Sequence, residues 1–216
     1  MKLYSETFDD GAMMPDECAF GLLGPDRAYV FGANRNPHLA WTDLPAGTRS
    51  LVLINDDLDV PVKLDTFNQA GATVARTLQR RALCHWVLVD LDPDGPPIAL
   101  GEFSDGVTVG GKPGPAGPRG TRQGINEYTD WFAARQDRDM MGQYHGYDGP
   151  CPPWNDEVPH RYVFTLYALD VPVLDLGAAC AFAKPEVERA LHAGRARILA
   201  EASVTGLYAL NPDLRR

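Results

Sequence analysis

Two short runs carry most of the side chains able to do chemistry. One is Asp57-Leu58-Asp59-Val60-Pro61, the other His160-Arg161-Tyr162. In an extended chain, side chains two residues apart share a face. Asp57 and Asp59 are therefore expected on one side, and His160 and Tyr162 on one side with Arg161 opposite. Paired carboxylates repel each other unless cations or donors stand near. His85 is a third element, opening an apolar run a few residues after Arg80 and Arg81. A carboxylate beside an imidazole raises its pKa and fixes its tautomer. A charged imidazole and a tyrosine hydroxyl can then donate to phosphate or carboxylate oxygens, each bond worth about 1.5–3 kcal/mol. The run Gly146 to Pro153 (GYDGPCPP) adds backbone N–H groups as candidate donors, and its prolines stiffen it. The chemistry this set suits is recognition of an anionic or phosphorylated small molecule.

Each residue also has a structural reading. Aspartates cap turns, and a histidine opening a strand often only packs. Two other chemistries use the same residues. Cys151 with His160 or His85 as base would make a small-molecule hydrolase or lyase. Two aspartates and two histidines are acceptable ligands for zinc, iron or manganese, but no H-x-x-x-H spacing supports that reading. The four cysteines, Cys18, Cys84, Cys151 and Cys180, form no C-x-x-C pair and read as reduced thiols. No metal and no cofactor are expected.

Strands are the elements that must position these groups. Ser50 to Asn55 (SLVLIN), His85 to Asp90 (HWVLVD) and Tyr162 to Leu169 (YVFTLYAL) read as buried strands, the last apolar on both faces. Leu39 and Trp41 suit one face of another strand, and Ser203 to Leu210 a closing one. Every candidate group thus lies near a strand end, where sites are commonly built. A helix is predicted where Val187, Ala190, Leu191 and Ile198 follow helical spacing, with Pro185 in its first turn and Gly194 on the same face. A weaker one spans Ile125 to Arg135. Gly110 to Gly120 (GGKPGPAGPRG) reads as a surface loop. The 21 glycines and 18 prolines in 216 residues point to many turns, as in an all-β protein.

The length suits a single domain over residues 1–216. A formal net charge of −9 opposes nucleic acid and anionic membranes as partners. No apolar stretch approaches a membrane span, and the polar N-terminus lacks a signal-peptide pattern, so a cytoplasmic location is expected. The oligomeric state is not fixed by the sequence; a homodimer is one candidate.

In order along the chain, the motifs resemble those of the phosphatidylethanolamine-binding protein family, in its bacterial Raf-kinase-inhibitor-like branch. Asn34 to Trp41 (NRNPHLAW) resembles the family's N-x-S-P-x-L-x-W segment, and Asp57 to Pro61 its D-P-D-A-P signature. His85-Trp86, G-P-C-P-P at Gly149 to Pro153, H-R-Y-V-F-T-L-Y-A-L-D at His160 to Asp170, and G-L-Y at Gly206 to Tyr208 follow. The resemblance implies a two-sheet antiparallel β-sandwich with a few peripheral helices, one near the C-terminus. It also implies a non-catalytic binding or regulatory protein whose small pocket takes a phospholipid head group, nucleotide or phosphopeptide. By position the pocket residues would be Asp57, Asp59, His85, Gly149, Pro150, His160 and Tyr162. The branch name further implies a protein partner and kinase-inhibitor-like regulation, and relatives suggest a cis bond at Val60-Pro61. Leu58 and Val60 depart from the signature, and Asn36 stands where the family often has Ser. The segment Asn126 to Tyr147, longer than in the shortest relatives and carrying Tyr128, Trp131, Phe132, Tyr144, His145 and Tyr147, is expected either to form a flap over the pocket or to be an ordered surface insertion with its own small aromatic cluster.

Overall fold

The computed structural model describes residues 1–177 and 181–215. The architecture is mainly β, with antiparallel sheets and two short helices, as expected. Nine strands are defined: β1 (Lys2–Tyr4), β2 (Gly21–Leu23), β3 (Tyr29–Phe31), β4 (Ala40–Thr42), β5 (Ser50–Pro61), β6 (Arg80–Leu91), β7 (Arg122–Gln123), β8 (His160–Leu169) and β9 (Ile198–Tyr208). The helices are α1 (Tyr128–Ala134) and α2 (Lys184–His192). A five-stranded sheet in the order β7-β6-β5-β8-β9 forms the main layer. Two ribbons, β1-β4 and β2-β3, complete the β structure.

The apolar runs of β5, β6 and β8 place side chains on both faces, and both faces are covered. Leu51, Leu53, Trp86, Leu88, Phe164 and Leu166 bury one face beneath Leu3, Leu39 and the partly buried Trp41 of the ribbon side. Val52, Ile54, Val87 and Val89 bury the other beneath Val187 and Leu191 of α2. Each such side chain contributes about 1.5–3 kcal/mol by leaving water, so the central strands are the rigid part of the molecule. Since β5 is antiparallel to both neighbours, its C-terminal end meets the N-terminal ends of β6 and β8. Asp57, His85 and His160 therefore gather at one end of the sheet, with Asp57 on the strand between the two histidines.

Two register shifts decide where these side chains go. On β6, Asn55 faces Trp86 while Asp56 faces Cys84, which leaves His85 as an extra, bulged residue. On β5, Asp57 faces Leu83 and Val60 faces Arg81, so one extra residue separates Asp57 from Val60. Asp57 to Pro61 is consequently the bulged end of a strand, not a turn, and the alternation expected to put Asp59 beside Asp57 is broken.

Three other expectations need correction. The cis peptide bond among the described residues is Gly114–Pro115, not Val60–Pro61. Helix α2 ends at His192, because Gly194 takes a positive φ of 76° just beyond it and Ile198 already belongs to β9. The Gly110 to Gly120 segment is not merely a surface loop, since Lys112 turns inward from it to Asp148. Cys18, Cys84 and Cys151 are free thiols, whereas Cys180 lies outside the described residues.

Candidate functional site

His160 opens β8 and is buried, 1% exposed. Its Nδ1 lies 2.7 Å from Asp57 Oδ2 and its Nε2 lies 3.2 Å from Asp156 Oδ2. A carboxylate can only accept, so both ring nitrogens donate and the ring is an imidazolium. Burial works against that charge, but Asp57 and Asp156 overcome it and raise the pKa to about 9. Arg80 clasps Asp156 with two hydrogen bonds of 2.6 and 3.0 Å. Against the cost of burial, His160 and Arg80 hold the Asp156 carboxyl below the usual range.

Asp59 has turned away from this cluster. Its carboxylate accepts from Arg161 N, Nε and one terminal nitrogen at 2.8–2.9 Å. Those bonds outweigh burial and lower its pKa. Asp57 keeps its other oxygen for the Asp59 backbone N–H at 2.8 Å, which stabilises the bulge. The two aspartates therefore do different jobs: Asp57 orients His160, and Asp59 ties the strand end to Arg161.

His85 is placed by its bulge and by the loop before β8. Its Nδ1 lies 2.7 Å from the backbone oxygen of Asp148, and its own carbonyl accepts from Asp148 N at 3.1 Å. A carbonyl cannot donate, so Nδ1 carries the proton. His85 Nε2 has no protein partner among the described residues. The ring stands edge-on to Tyr162 and Tyr128, with centroids 5.2 and 5.3 Å away. Tyr162 is 1% exposed, and its hydroxyl makes no hydrogen bond of good geometry. Burial, then the neighbouring Asp57 charge, push its pKa well up, so it keeps its proton.

Asp57, His85, His160 and Tyr162 line a small pocket together with Leu83, Val60, Pro61, Phe67, Tyr128, Trp131, Cys151, Pro152 and Pro153, and Asp59 does not reach it. Its open volume is about 30 Å³, room for one or two waters or a small oxyanion group. Gly149 and Pro150 do not line it. Their carbonyls fasten the loop, accepting from Tyr128 Oη at 2.9 Å and from Phe20 N at 2.9 Å. A side chain at Gly149 would overlap the Cys18 carbonyl oxygen, which explains the glycine. Of the N–H groups expected as ligand donors, three are committed: Gly146 N to Gly124 O, Asp148 N to His85 O and Gly149 N to Asn34 Oδ1. The partly buried Cys151 thiol sits where any side chain at Gly21 would press on its sulfur, and burial pushes its pKa up to about 12.

Sequence reasoning did not name Asp156, which supports His160 from behind the pocket, and had Tyr128 and Trp131 only as part of the segment expected to cover it. Asp156 lies four residues before His160, a spacing that was visible, but its role depends on the chain turning back between them. Helix α1 supplies Tyr128 and Trp131 to the pocket wall. The remainder of the Asn126 to Tyr147 segment builds its own cluster from Tyr128, Phe132, Met140 and Tyr144 against Phe20. Beside the pocket, and sharing Phe67, Tyr128, Trp131 and Cys151 with it, runs an aromatic groove of about 410 Å³. Tyr29, Val30 and Phe31 form its exposed outer wall.

The sequence profile of the phosphatidylethanolamine-binding protein family matches residues 4–209. The chain belongs to that family. The bacterial and archaeal relatives of this phosphatidylethanolamine-binding protein family member include UPF0098 protein YbhB of Escherichia coli, 30% identical over 96% of this chain and 99% of its own length. A UPF0098 protein of Methanothermobacter thermautotrophicus is 32% identical over 85% of this chain and 89% of its own. Among solved structures, CT736 of Chlamydia trachomatis, described as a homologue of phosphatidylethanolamine-binding protein, superposes with a TM-score of 0.60 at 26% identity. That match covers 96% of this chain and 95% of CT736. Escherichia coli YbcL shares the fold, with a TM-score of 0.63 at 22% identity over 96% and 97% of the two chains. Among the described residues of this family member, no three His, Cys, Asp or Glu side chains converge so as to hold a metal ion. No described helix is long and apolar enough to cross a membrane.

Proposed function

We propose that the pocket binds a small anionic group of the phosphoryl type and does not turn it over. One observation carries this reading: His85 Nε2 has no partner among the described residues, and the Tyr162 hydroxyl makes no bond of good geometry although Asp57 stands beside it, in a pocket whose carboxylates are internally neutralised. With Nδ1 held by the Asp148 carbonyl, Nε2 donates only when the imidazole is charged. An anion would supply His85 Nε2 with an acceptor and the Tyr162 hydroxyl with a better-placed one, and its charge would favour the imidazolium. The adjoining aromatic groove suits the apolar remainder of a phosphorylated molecule. A regulatory role, in which a protein partner reads pocket occupancy, extends the same proposal.

Catalysis by Cys151 is disfavoured on physical grounds. Its thiol is held protonated by burial, and of its two candidate bases His160 is already charged and bonded at both nitrogens, which leaves only His85. Thermal unfolding with inorganic phosphate and phenyl phosphate tests the proposal. At ligand about ten times Kd, stability is expected to rise by about 1.4 kcal/mol. His85→Ala should abolish the rise and Tyr162→Phe should reduce it, with sodium chloride at equal ionic strength as control. No shift of the wild-type protein at millimolar anion would refute the proposal.

A further inference from the structure

Lys112 does not line the pocket, yet it ends in the most completely bonded polar cluster beside it. Its Nζ lies 2.7 Å from Asp148 Oδ1 and also donates to the Tyr147 carbonyl. Lys112 keeps 15% of its side chain exposed and Asp148 keeps 1%. The same carboxylate accepts from Asn34 Nδ2 and Asn126 Nδ2, both at 2.8 Å. Those two amides also hold the backbone of the loop: Asn34 Oδ1 accepts from Gly149 N, and Asn126 Nδ2 donates to Gly146 O. Asp148 is thus fixed through its side chain, while its main chain carries both hydrogen bonds to His85.

The consequence for His85 follows from hydrogen-bond chemistry. A neutral imidazole has one donor and one acceptor nitrogen, and the partner of one nitrogen decides which form is present. The Asp148 carbonyl imposes the Nδ1–H form and aims Nε2 into the pocket. That carbonyl stays in place only while the buried Asp148 carboxylate has a counter-charge. An isolated buried carboxylate is strongly unfavourable and would draw the loop toward water. Lys112 is the cation that touches it.

We propose that Lys112 is a positioning residue: through its ion pair with Asp148 it keeps the Asp148 carbonyl on His85 Nδ1, which fixes the neutral ring in the Nδ1–H form and keeps Nε2, a donor once the ring is charged, aimed into the pocket. This rests on the pocket being the binding site, but it has a readout independent of any ligand. Long-range 1H–15N spectra of the imidazoles report directly which nitrogen of His85 is protonated. The wild-type protein should show the Nδ1–H form. Lys112→Met keeps the length of the stem and removes the charge. It should lose the single tautomer and weaken phosphate binding by about tenfold or more, as loss of an orienting partner does. The double variant Lys112→Met/Asp148→Asn leaves no buried charge and keeps a carbonyl oxygen for Asn34 or Asn126. It should recover the Nδ1–H form and most of the affinity.

A folded Lys112→Met protein with unchanged tautomer overturns the proposal. So does a double variant that is as stable as the wild type yet fails to recover the Nδ1–H form. If the single variant does not fold, the double variant decides alone by the same criterion. If the wild type binds no phosphate, the binding proposal fails, and the tautomer of His85 in the three proteins still decides the role of Lys112.

Discussion

The buried imidazolium of His160 gives the sharpest quantitative expectation. Its pKa is 6.5 as a free side chain and about 9 in the folded protein. A group whose pKa is raised by folding stabilises the folded state when it is protonated. Its full contribution is present below pH 6.5, where both folded and unfolded chains carry the proton. The contribution falls as pH rises and is lost once the folded group deprotonates near pH 9. Because His160 is 1% exposed, solvent screening takes little from it. The raised pKa corresponds to about 3 kcal/mol.

The perturbation is His160→Gln, and the assay is urea unfolding at a series of pH values from about 6 to 10. The variant is expected to be less stable throughout, since Asp57 and Asp156 lose their shared cation. Only the pH slope tests the reasoning. The wild type should lose about 3 kcal/mol between pH 6.5 and 9 beyond what the variant loses. Other groups titrating in that window affect both proteins alike and cancel in the difference. Parallel curves for the two proteins would show that His160 is not an imidazolium held by two carboxylates.

The Cys151 thiol, pushed up to about 12 by burial, should resist iodoacetamide at about pH 7.5 and react only after unfolding; rapid modification of the native protein would restore it as a candidate nucleophile. Gly149→Ala would drive a methyl group into the Cys18 carbonyl and should destabilise by about 2–3 kcal/mol in thermal unfolding, so an unchanged melting temperature would refute the packing argument for that glycine.

Much of the scaffold was legible because it depends on local pattern. The apolar runs of β5, β6 and β8 could hardly form anything other than strands covered on both faces, and they do. His160 and Tyr162 share a face because β8 is regular there. Asp57 and Asp59 do not, because a bulge inserts one residue between Asp57 and Val60. Nothing in D-L-D-V-P announces that bulge, since bulging is settled by the partner strand. The bulge at His85 was equally hidden. For the same reason Lys112 read as part of a loop: its partner Asp148 is 36 residues away, and only the fold brings them together. The helix ending at His192 was over-extended for a local reason, because Gly194 was read as a packing residue and not as the stop that its positive φ makes it.

The acidic chain looks at first like an unpromising anion binder, and its charge pairing explains why it need not be one. Four carboxylates stand at or around the pocket, and each has a cation of its own: Asp57 has His160, Asp59 has Arg161, Asp148 has Lys112 and Asp156 has Arg80. Their negative charge is spent on holding the walls, so an incoming anion does not meet it uncompensated at short range. What it meets is a protonated Tyr162 hydroxyl and a histidine whose second nitrogen is committed to a carbonyl. On the proposed reading, affinity turns on one proton, that of His85 Nε2, which an anion helps to bind. His160, already charged and engaged at both nitrogens, has none left for a ligand. Two buried histidines, one oriented by carboxylates and one by a carbonyl, would then divide the work: His160 fixes the geometry of the pocket end, and His85 keeps a nitrogen free for the proposed ligand.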